Sequence, residues 1–315
     1  MVDCLLTIVV VNYGTPYFTL SAISSAIQHL KETDLQEVKF LVVDNASPDE
    51  SSSILEEYCK LDGHVDFFAL DENLGFAGAH NYLNDYYHSK YILMLNPDTL
   101  MVNNAIDEVL KSAQNNPDNG IWGGVTYFGD GALNPGHAFR DISLWTLFCR
   151  SFYLAPMFKG NALLDPEFYP DWDRSTDKTV DVVQGSFLLI DTELWFRLKG
   201  FDLDFFMYGE EADLCFRARE MGARPLVSSN AKLIHFGGVS ETVRSDKIVR
   251  LFSARCLFLR KHFKGFYLVS SLFLHSMWPL TRCFVLGIAS LFRKQHRNAF
   301  SSWCNVVQRW KEWLK

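Results

Sequence analysis

The run Tyr91-Ile-Leu-Met-Leu-Asn-Pro-Asp98 ends a short apolar segment on a carboxylate. Five residues without charge, Tyr91 to Leu95, form the pattern of a strand buried on both faces. Pro97 cannot extend a hydrogen-bonded ladder, so the strand stops and Asp98 is presented at its carboxyl end. In open α/β sheets ligands bind at that edge, where a hard oxygen suits a divalent cation carrying a diphosphate. Taken alone, Asp98 could equally cap the following helix. Three further motifs sit at or just beyond predicted strand ends: Asn12-Tyr13, Asp44-Asn45, and Asn73-Leu74-Gly75-Phe76-Ala77-Gly78, the last opening a helix. One ligand could touch all four. Asp44 or Asn45 can accept from a pyrimidine imide N–H, or form an Asx-turn. Gly75 and Gly78 allow close backbone approach before a helix N-terminus, which favours phosphate. The G-x-G-x-x-G spacing is absent, which argues against a dinucleotide-dependent dehydrogenase.

Two later motifs add acid–base and ligand chemistry. Glu210, Glu211 and Asp213 cluster at a predicted helix start beside Phe205, Phe206 and Tyr208. The helix dipole favours carboxylates there, but three within four residues exceed what a cap requires. A carboxylate poised near an acceptor hydroxyl is a general base for displacement at a sugar carbon. His235, in His235-Phe236-Gly237-Gly238-Val239-Ser240, offers a metal ligand or a donor to phosphate, and is otherwise a core histidine.

The elements that must position these groups follow from hydrophobic periodicity. Strands are predicted at Leu5–Val11, Val38–Val43, Val65–Ala69, Tyr91–Leu95 and Ile121–Tyr127, with helices near 17–31, 51–61, 78–88 and 103–115. Ser51 and Asn103 or Asn104 are the expected N-caps. This alternation predicts an α/β architecture with a mainly parallel, doubly wound sheet. Residues 129–178 lack periodicity and read as long loops over one end of the sheet, where substrates are selected. Val180–Ile190 then reads as a long strand or strand pair. A helix near 192–199, a helix over Glu210–Met221 and short strands at Arg224–Ser228 and Lys232–His235 follow.

Composition narrows the class. Of 315 residues 48% are hydrophobic and 21% charged, a globular balance that excludes a disordered chain. Seven scattered cysteines without a CxxC pair argue for a reducing compartment and against zinc or a disulfide framework. Leu5–Val11 reads as a first strand, not as a signal peptide, and no nucleic-acid partner is expected. The net charge of −7 hides an asymmetry: from Lys247 onward thirteen Lys and Arg face one acid, Glu312, leaving an acidic body and a basic, aromatic tail. Within that tail Gly265–Thr281 carries no charge, but Pro279 and Arg282 interrupt it before the second uncharged run, Cys283–Phe292. Arg260, Lys261 and Lys264 flank one side and Arg293, Lys294 and Arg297 the other. The pattern predicts helices lying in an anionic membrane interface; a true membrane span, a packed helical subdomain and a homo-oligomer contact are the alternatives.

The ordered set VVNY, VVDNAS, NLGFAG, LNPD, QGSFLLI, FFMYGEE and HFGGVS resembles family 2 glycosyltransferases of the GT-A fold, and among them bacterial rhamnosyltransferases. The resemblance covers about residues 4–262 and includes Phe258-Leu259-Arg260-Lys261-His262. It implies a GT-A domain over residues 1–245, a mainly parallel sheet flanked by helices, with a helical membrane-associating extension over 246–315. Asn12, Tyr13, Asp44, Asn45, Gly75, Gly78, Asn81 and Asn96 would then hold the nucleotide sugar. Asp98, with His235, would hold Mg²⁺ or Mn²⁺, and Gly185 and Ser186 would line the acceptor site. Glu211 would be the base, with Glu210 and Asp213 as alternatives. Three positions depart from the family pattern: Asn96 replaces the first Asp of DXD, Glu211 replaces Asp, and Ala79-His80 stand where Gly and Asn are common. The implied reaction is inverting transfer of a deoxysugar, L-rhamnose from dTDP-rhamnose, onto a polyprenyl-diphosphate-linked glycan at the cytoplasmic face of a bacterial membrane. A UDP-hexose donor, an inactive sugar-nucleotide-binding scaffold and a nucleotidyltransferase are the competing expectations.

Overall fold

A computed structural model of the chain describes residues 4–61, 63–237 and 244–314. Gly238, Val239 and Ser240, the end of the His235–Ser240 motif, lie outside the described residues.

The strands are β1 Cys4–Asn12, β2 Val38–Asp44, β3 Val65–Ala69, β4 Ser89–Leu95, β5 Thr99–Met101, β6 Ile121–Tyr127, β7 Ala138–Phe139, β8 Lys178–Thr179, β9 Val182–Val183, β10 Phe187–Asp191 and β11 Leu226–His235. The helices are α1 Pro16–His29, α2 Ser51–Leu61, α3 Gly75–Tyr82, α4 Ala105–Asn115, α5 Leu144–Ser151, α6 Leu154–Met157, α7 Thr192–Leu198, α8 Glu210–Glu220, α9 Arg244–His262, α10 Gly265–Phe292, α11 Arg297–Gln308 and α12 Trp310–Trp313. All but β7 and β9, which pair with each other, belong to one sheet of order β3-β2-β1-β4-β10-β6-β11-β5, with β8 on β11.

Strands β1 to β4 are parallel, and their buried runs are the apolar ones expected: Leu6, Ile8, Val9 and Val10 of β1 and Ile92, Leu93 and Met94 of β4 are fully buried. Each such side chain contributes about 1.5–3 kcal/mol by leaving water. The second half of the sheet is mixed. β10 runs antiparallel between β4 and β6, and β5 runs antiparallel along β11. Strand direction is set by the connection and not by the strand's own residues, so the alternation in sequence gave no sign of it. The two short strands expected over 224–235 are one strand, β11, whose pairing with β6 shifts between Ser228 and Lys232. The expected cap at Ser51 is also replaced: Ser51 begins α2 and its N–H donates to Asp49 Oδ1 at 3.1 Å.

The chain divides into two compact units, one of residues 1–139, 173–206 and 210–240, the other of 140–172, 207–209 and 241–315. Of residues 129–178, expected as loops over the sheet, 140–172 therefore group with the C-terminal helices and contain α5 and α6. That second unit has its own core, where Phe252, Cys256, Trp278, Val306 and Trp313 are buried together. Glu167 is buried there between Arg150 and Arg255, at 2.6 and 2.5 Å. Helix α10 is continuous across Pro279 and Arg282, the residues expected to interrupt it. Packing of its inner face holds the helix through a proline that removes one internal hydrogen bond.

Candidate active site

Register brings the first two motifs together. Asn12 and Asp44 are paired residues at the ends of β1 and β2. The buried Asn12 amide donates to Asp44 Oδ1 at 2.7 Å and to Ser47 Oγ at 3.1 Å, while its oxygen accepts from Thr19 Oγ1 at 2.8 Å. Asp44 also accepts from the Ser47 hydroxyl at 2.6 Å and the Ser47 N–H at 3.1 Å. Tyr13, one residue beyond, is 40% exposed. Asp44 is thus fixed with spare acceptor capacity at the strand end. Asn45 is more fully occupied: its amide donates to Asn73 Oδ1 at 3.0 Å and Gly75 O at 3.2 Å, and its oxygen accepts from Leu74 N at 2.9 Å. Asn45 therefore shapes the glycine turn, while Asp44 keeps an unused acceptor position.

The turn itself is fastened elsewhere. Gly75 has φ +71°, and a Cβ there would lie 2.1 Å from the Phe206 carbonyl oxygen. The next N–H, of Phe76, donates to that same oxygen at 2.9 Å. Only glycine permits both the left-handed backbone and the close approach. At Gly78 the obstacle is Leu74, whose Cβ would be 2.7 Å away. Asn81 stands apart from the ligand-facing group. Its amide donates to Phe201 O at 2.8 Å and accepts from Phe201 N at 2.9 Å, so it ties α3 to the segment ahead of α8.

Asp98 and His235 meet because β5 follows Asp98 directly and pairs with β11, Thr99 opposite His235. Asp98 Oδ1 lies 3.3 Å from His235 Nε2, and Oδ2 accepts from Gly237 N at 2.9 Å. Burial raises the Asp98 carboxyl, but the hydrogen bond and charge of His235 and the surrounding N–H groups outweigh it and hold it below the usual range. Among the described residues no three His, Cys, Asp or Glu side chains gather as a metal cage. A hard cation held largely by substrate phosphates needs only one or two protein ligands. Asp98 Oδ1 and His235 Nε2 bond each other at 3.3 Å, and with Nε2 free of its proton the two would supply such ligands.

The acidic motif resolves into three environments. Asp213 is buried and pairs with Arg217 at 2.7 Å, whose other nitrogens donate to Leu198 O at 2.7 Å and Gly200 O at 3.0 Å. That carboxylate anchors α8. Glu210 is buried, and desolvation, then the charge of Glu211, pushes its carboxyl well above the usual range. Glu211 adjoins the loop before β10: a Cβ on Gly185 would meet Glu211 Cβ at 3.7 Å and the Phe76 ring at 3.5 Å. That loop is joined to the Asp98 loop, since Asn96 N donates to Ser186 O at 3.0 Å. The buried Ser186 hydroxyl donates to Gln184 Oε1 at 3.1 Å.

Residues 7–166 match the model of glycosyl transferase family 2. The chain is a family 2 glycosyltransferase. Its sequence is similar to rhamnosyltransferase WbbL of Escherichia coli K12, 27% identical over 224 residues, which span 69% of this chain and 78% of that protein. It is also 27% identical over 135 residues to a teichoic acid poly(glycerol phosphate) polymerase of Staphylococcus epidermidis, covering 42% of this chain and 16% of that one. Among solved structures, the mannosyltransferase PcManGT of Pyrobaculum calidifontis, in complex with GDP-Man and Mn²⁺, superposes with a TM-score of 0.61 at 14% identity, over 96% of this chain and 84% of that chain. The GT-A fold is thereby established.

In this glycosyltransferase several contacts come from residues whose motifs gave them no role. Asn73 accepts from Asn45 and from Gly75 N at 2.9 Å, a local Asx-turn legible in Asn-Leu-Gly. Phe206 receives the glycine turn from far away in sequence, and nothing in its own neighbourhood announces that. Phe18 and Phe236, whose rings meet edge to face at 5.9 Å, are likewise joined only by the fold.

Proposed function

We propose that this glycosyltransferase is an inverting enzyme that moves a deoxysugar, L-rhamnose from dTDP-rhamnose, onto a polyprenyl-diphosphate-linked glycan in bacterial cell-surface synthesis. The observation that carries the reading is one loop with two neighbours. Gln184-Gly185-Ser186 adjoins Glu211 at Gly185, and its Ser186 carbonyl holds the backbone of the Asn96–Asp98 segment. Acid–base chemistry and diphosphate binding thus share one scaffold. Similarity to a protein named a rhamnosyltransferase supports the donor, and similarity to a teichoic acid polymerase supports a wall or surface glycan as product.

In this reading Asp44 accepts from the base imide, Tyr13 covers the base, and the Gly75–Gly78 turn leaves room for phosphate. Asn96 stays near the diphosphate, and Asp98 with His235 would hold Mg²⁺ or Mn²⁺ there. When bound, that ion neutralises charge on the departing nucleoside diphosphate. Glu211 takes the proton from the acceptor hydroxyl, whose oxygen forms the new bond to the anomeric carbon. The bond to the diphosphate oxygen breaks from the opposite face, and its electron pair leaves with the nucleotide. Burial, then the charge of Glu211, pushes the Glu210 carboxyl up, which favours charge on the residue that adjoins Gly185. Residues 1–245 supply this chemistry, and the basic extension 246–315 brings it to the cytoplasmic face of an anionic membrane, where the lipid-linked acceptor resides.

The test is acceptor-dependent release of nucleoside diphosphate with Mg²⁺ or Mn²⁺ across a panel of donors. Turnover with dTDP-rhamnose, lost in Asp98→Ala and Glu211→Gln, supports donor and roles together. Turnover with a UDP-hexose instead removes rhamnose and keeps the mechanism. Nucleotide binding without turnover of any donor favours a scaffold.

A further inference from the structure

Helix α10 is divided lengthwise by its chemistry. Phe266, Phe273, Leu280, Phe284, Ile288 and Leu291 are all exposed, from 45% at Leu280 to 83% at Phe266. At 100° per residue these six fall within an arc of about 80°, and they extend about 38 Å along the axis at 1.5 Å per residue. The opposite face is built into the second unit. Ser271, His275 and Trp278 are buried; His275 Nε2 bonds to Phe252 O at 3.1 Å; and the Arg282 guanidinium lies over the Tyr153 ring at 4.3 Å. An apolar stripe of this size on an exposed surface marks an interaction site.

Charge identifies its occupant. Basic residues stand at both ends of the stripe, with Lys264 before it and Arg293, Lys294 and Arg297 after it, all exposed. No acidic residue occurs between Asp246 and Glu312. An apolar stripe bounded by cations and free of acids complements an anionic lipid surface. By length and composition α10 could cross a membrane. Crossing would require lipid on every side, whereas His275, Trp278 and Arg282 are held against protein.

We propose that α10 lies in the plane of the membrane, with the Phe266–Leu291 stripe inserted among the acyl chains and the basic ends on anionic headgroups. The proposal rests on the membrane-surface reading given above and makes it specific: one face of one helix, inserted and not spanning. The orientation keeps the second unit on the cytoplasmic side while half of α10 is in lipid.

The experiment uses the full-length protein with sedimenting vesicles of phosphatidylglycerol and phosphatidylethanolamine, against neutral vesicles of phosphatidylcholine. Phe273→Ser/Phe284→Ser removes two exposed rings without touching the packed face, and circular dichroism confirms that the variant folds. Wild type is expected to partition onto the anionic vesicles and to be released by carbonate at pH 11. The double variant should bind about a hundredfold less, because each lost aromatic contact removes a large part of the buried apolar area. Equal binding by variant and wild type overturns the stripe and leaves membrane association standing. No binding of wild type to anionic vesicles overturns the membrane-surface reading and the stripe together. Retention after carbonate overturns the in-plane arrangement in favour of a span. A concentration-dependent dimer in sedimentation velocity, abolished by the double variant, assigns the stripe to a second copy of the chain instead.

Discussion

Replacing Gly75 by Ala tests whether the glycine turn and the segment before α8 are one mechanical unit. Ala at φ +71° costs about 1 kcal/mol relative to glycine. The added Cβ would lie 2.1 Å from the Phe206 oxygen, more than an ångström inside contact distance, so the Phe206 backbone must move. That movement breaks the 2.9 Å bond from Phe76 N, worth about 1 kcal/mol, and adds overpacking of about 1–3 kcal/mol. The expected loss is about 3–5 kcal/mol in urea unfolding followed by tryptophan fluorescence. Gly131→Ala is the control: its φ is +83° but nothing lies within 4 Å of the new Cβ, so it should lose only about 1 kcal/mol. In the transferase assay Gly75→Ala should lower kcat about a hundredfold, because Phe206 leads directly to Glu210 and Glu211 and ångström displacements are costly in catalysis. Equal stability losses in the two variants, or full turnover in Gly75→Ala, would refute the coupling.

Glu210→Gln should leave turnover near wild type, since burial and the charge of Glu211 push the native carboxyl's pKa up and favour its uncharged form. A carboxyl whose folded pKa is raised stabilises below its unfolded pKa near 4.5 and loses that contribution as pH rises. The stability difference, variant minus wild type, should therefore grow from pH 4 to pH 8 in thermal melts; a flat difference counts against a protonated Glu210. Arg255→Met removes one of two cations from the buried Glu167 and should cost about 3 kcal/mol. Burial raises the Glu167 carboxyl, but Arg255 and Arg150 outweigh that and lower it, so its contribution is present above pH 4.5 and lost on acidification. The variant's acid unfolding should start at higher pH, and an unchanged midpoint would contradict this. Asp98→Asn should keep the fold and lose more turnover than the 10–100-fold typical of outer-shell changes at metal sites, with a raised requirement for Mn²⁺ in titration. Wild-type metal dependence in that variant would remove Asp98 from the ion.

Periodicity located the first four parallel strands because each is rich in apolar residues, and such a run has few other ways to leave water. Asp98 was legible for the same reason: Pro97 ends the ladder beside it. The antiparallel course of β10 was not, since Phe187–Asp191 reads alike in either direction. Residues 140–172 misled because short helices stitched to distant partners, as Ser151 is to Leu274 at 2.5 Å, have no strong period of their own.

The chain's own order of residues determined which chemical groups stand at strand ends: Asn12, Asp44, Asn96 and Asp98, and the acids opening α8. Those positions depend on local hydrophobic pattern and on proline and glycine, whose effects reach only a few residues. Tertiary structure alone decided how they divide their work. Three acids within four residues became an anchor paired with Arg217, a buried carboxyl whose pKa is raised and a residue beside Gly185, because the fold gives each a different neighbour. Likewise Asn45 and Asp44, neighbours of similar chemistry, part company because the glycine turn claims the asparagine's whole amide. A side chain's charge and hydrogen-bonding capacity are written in sequence; what remains of them for a substrate depends on which partners the fold has already brought within 3 Å.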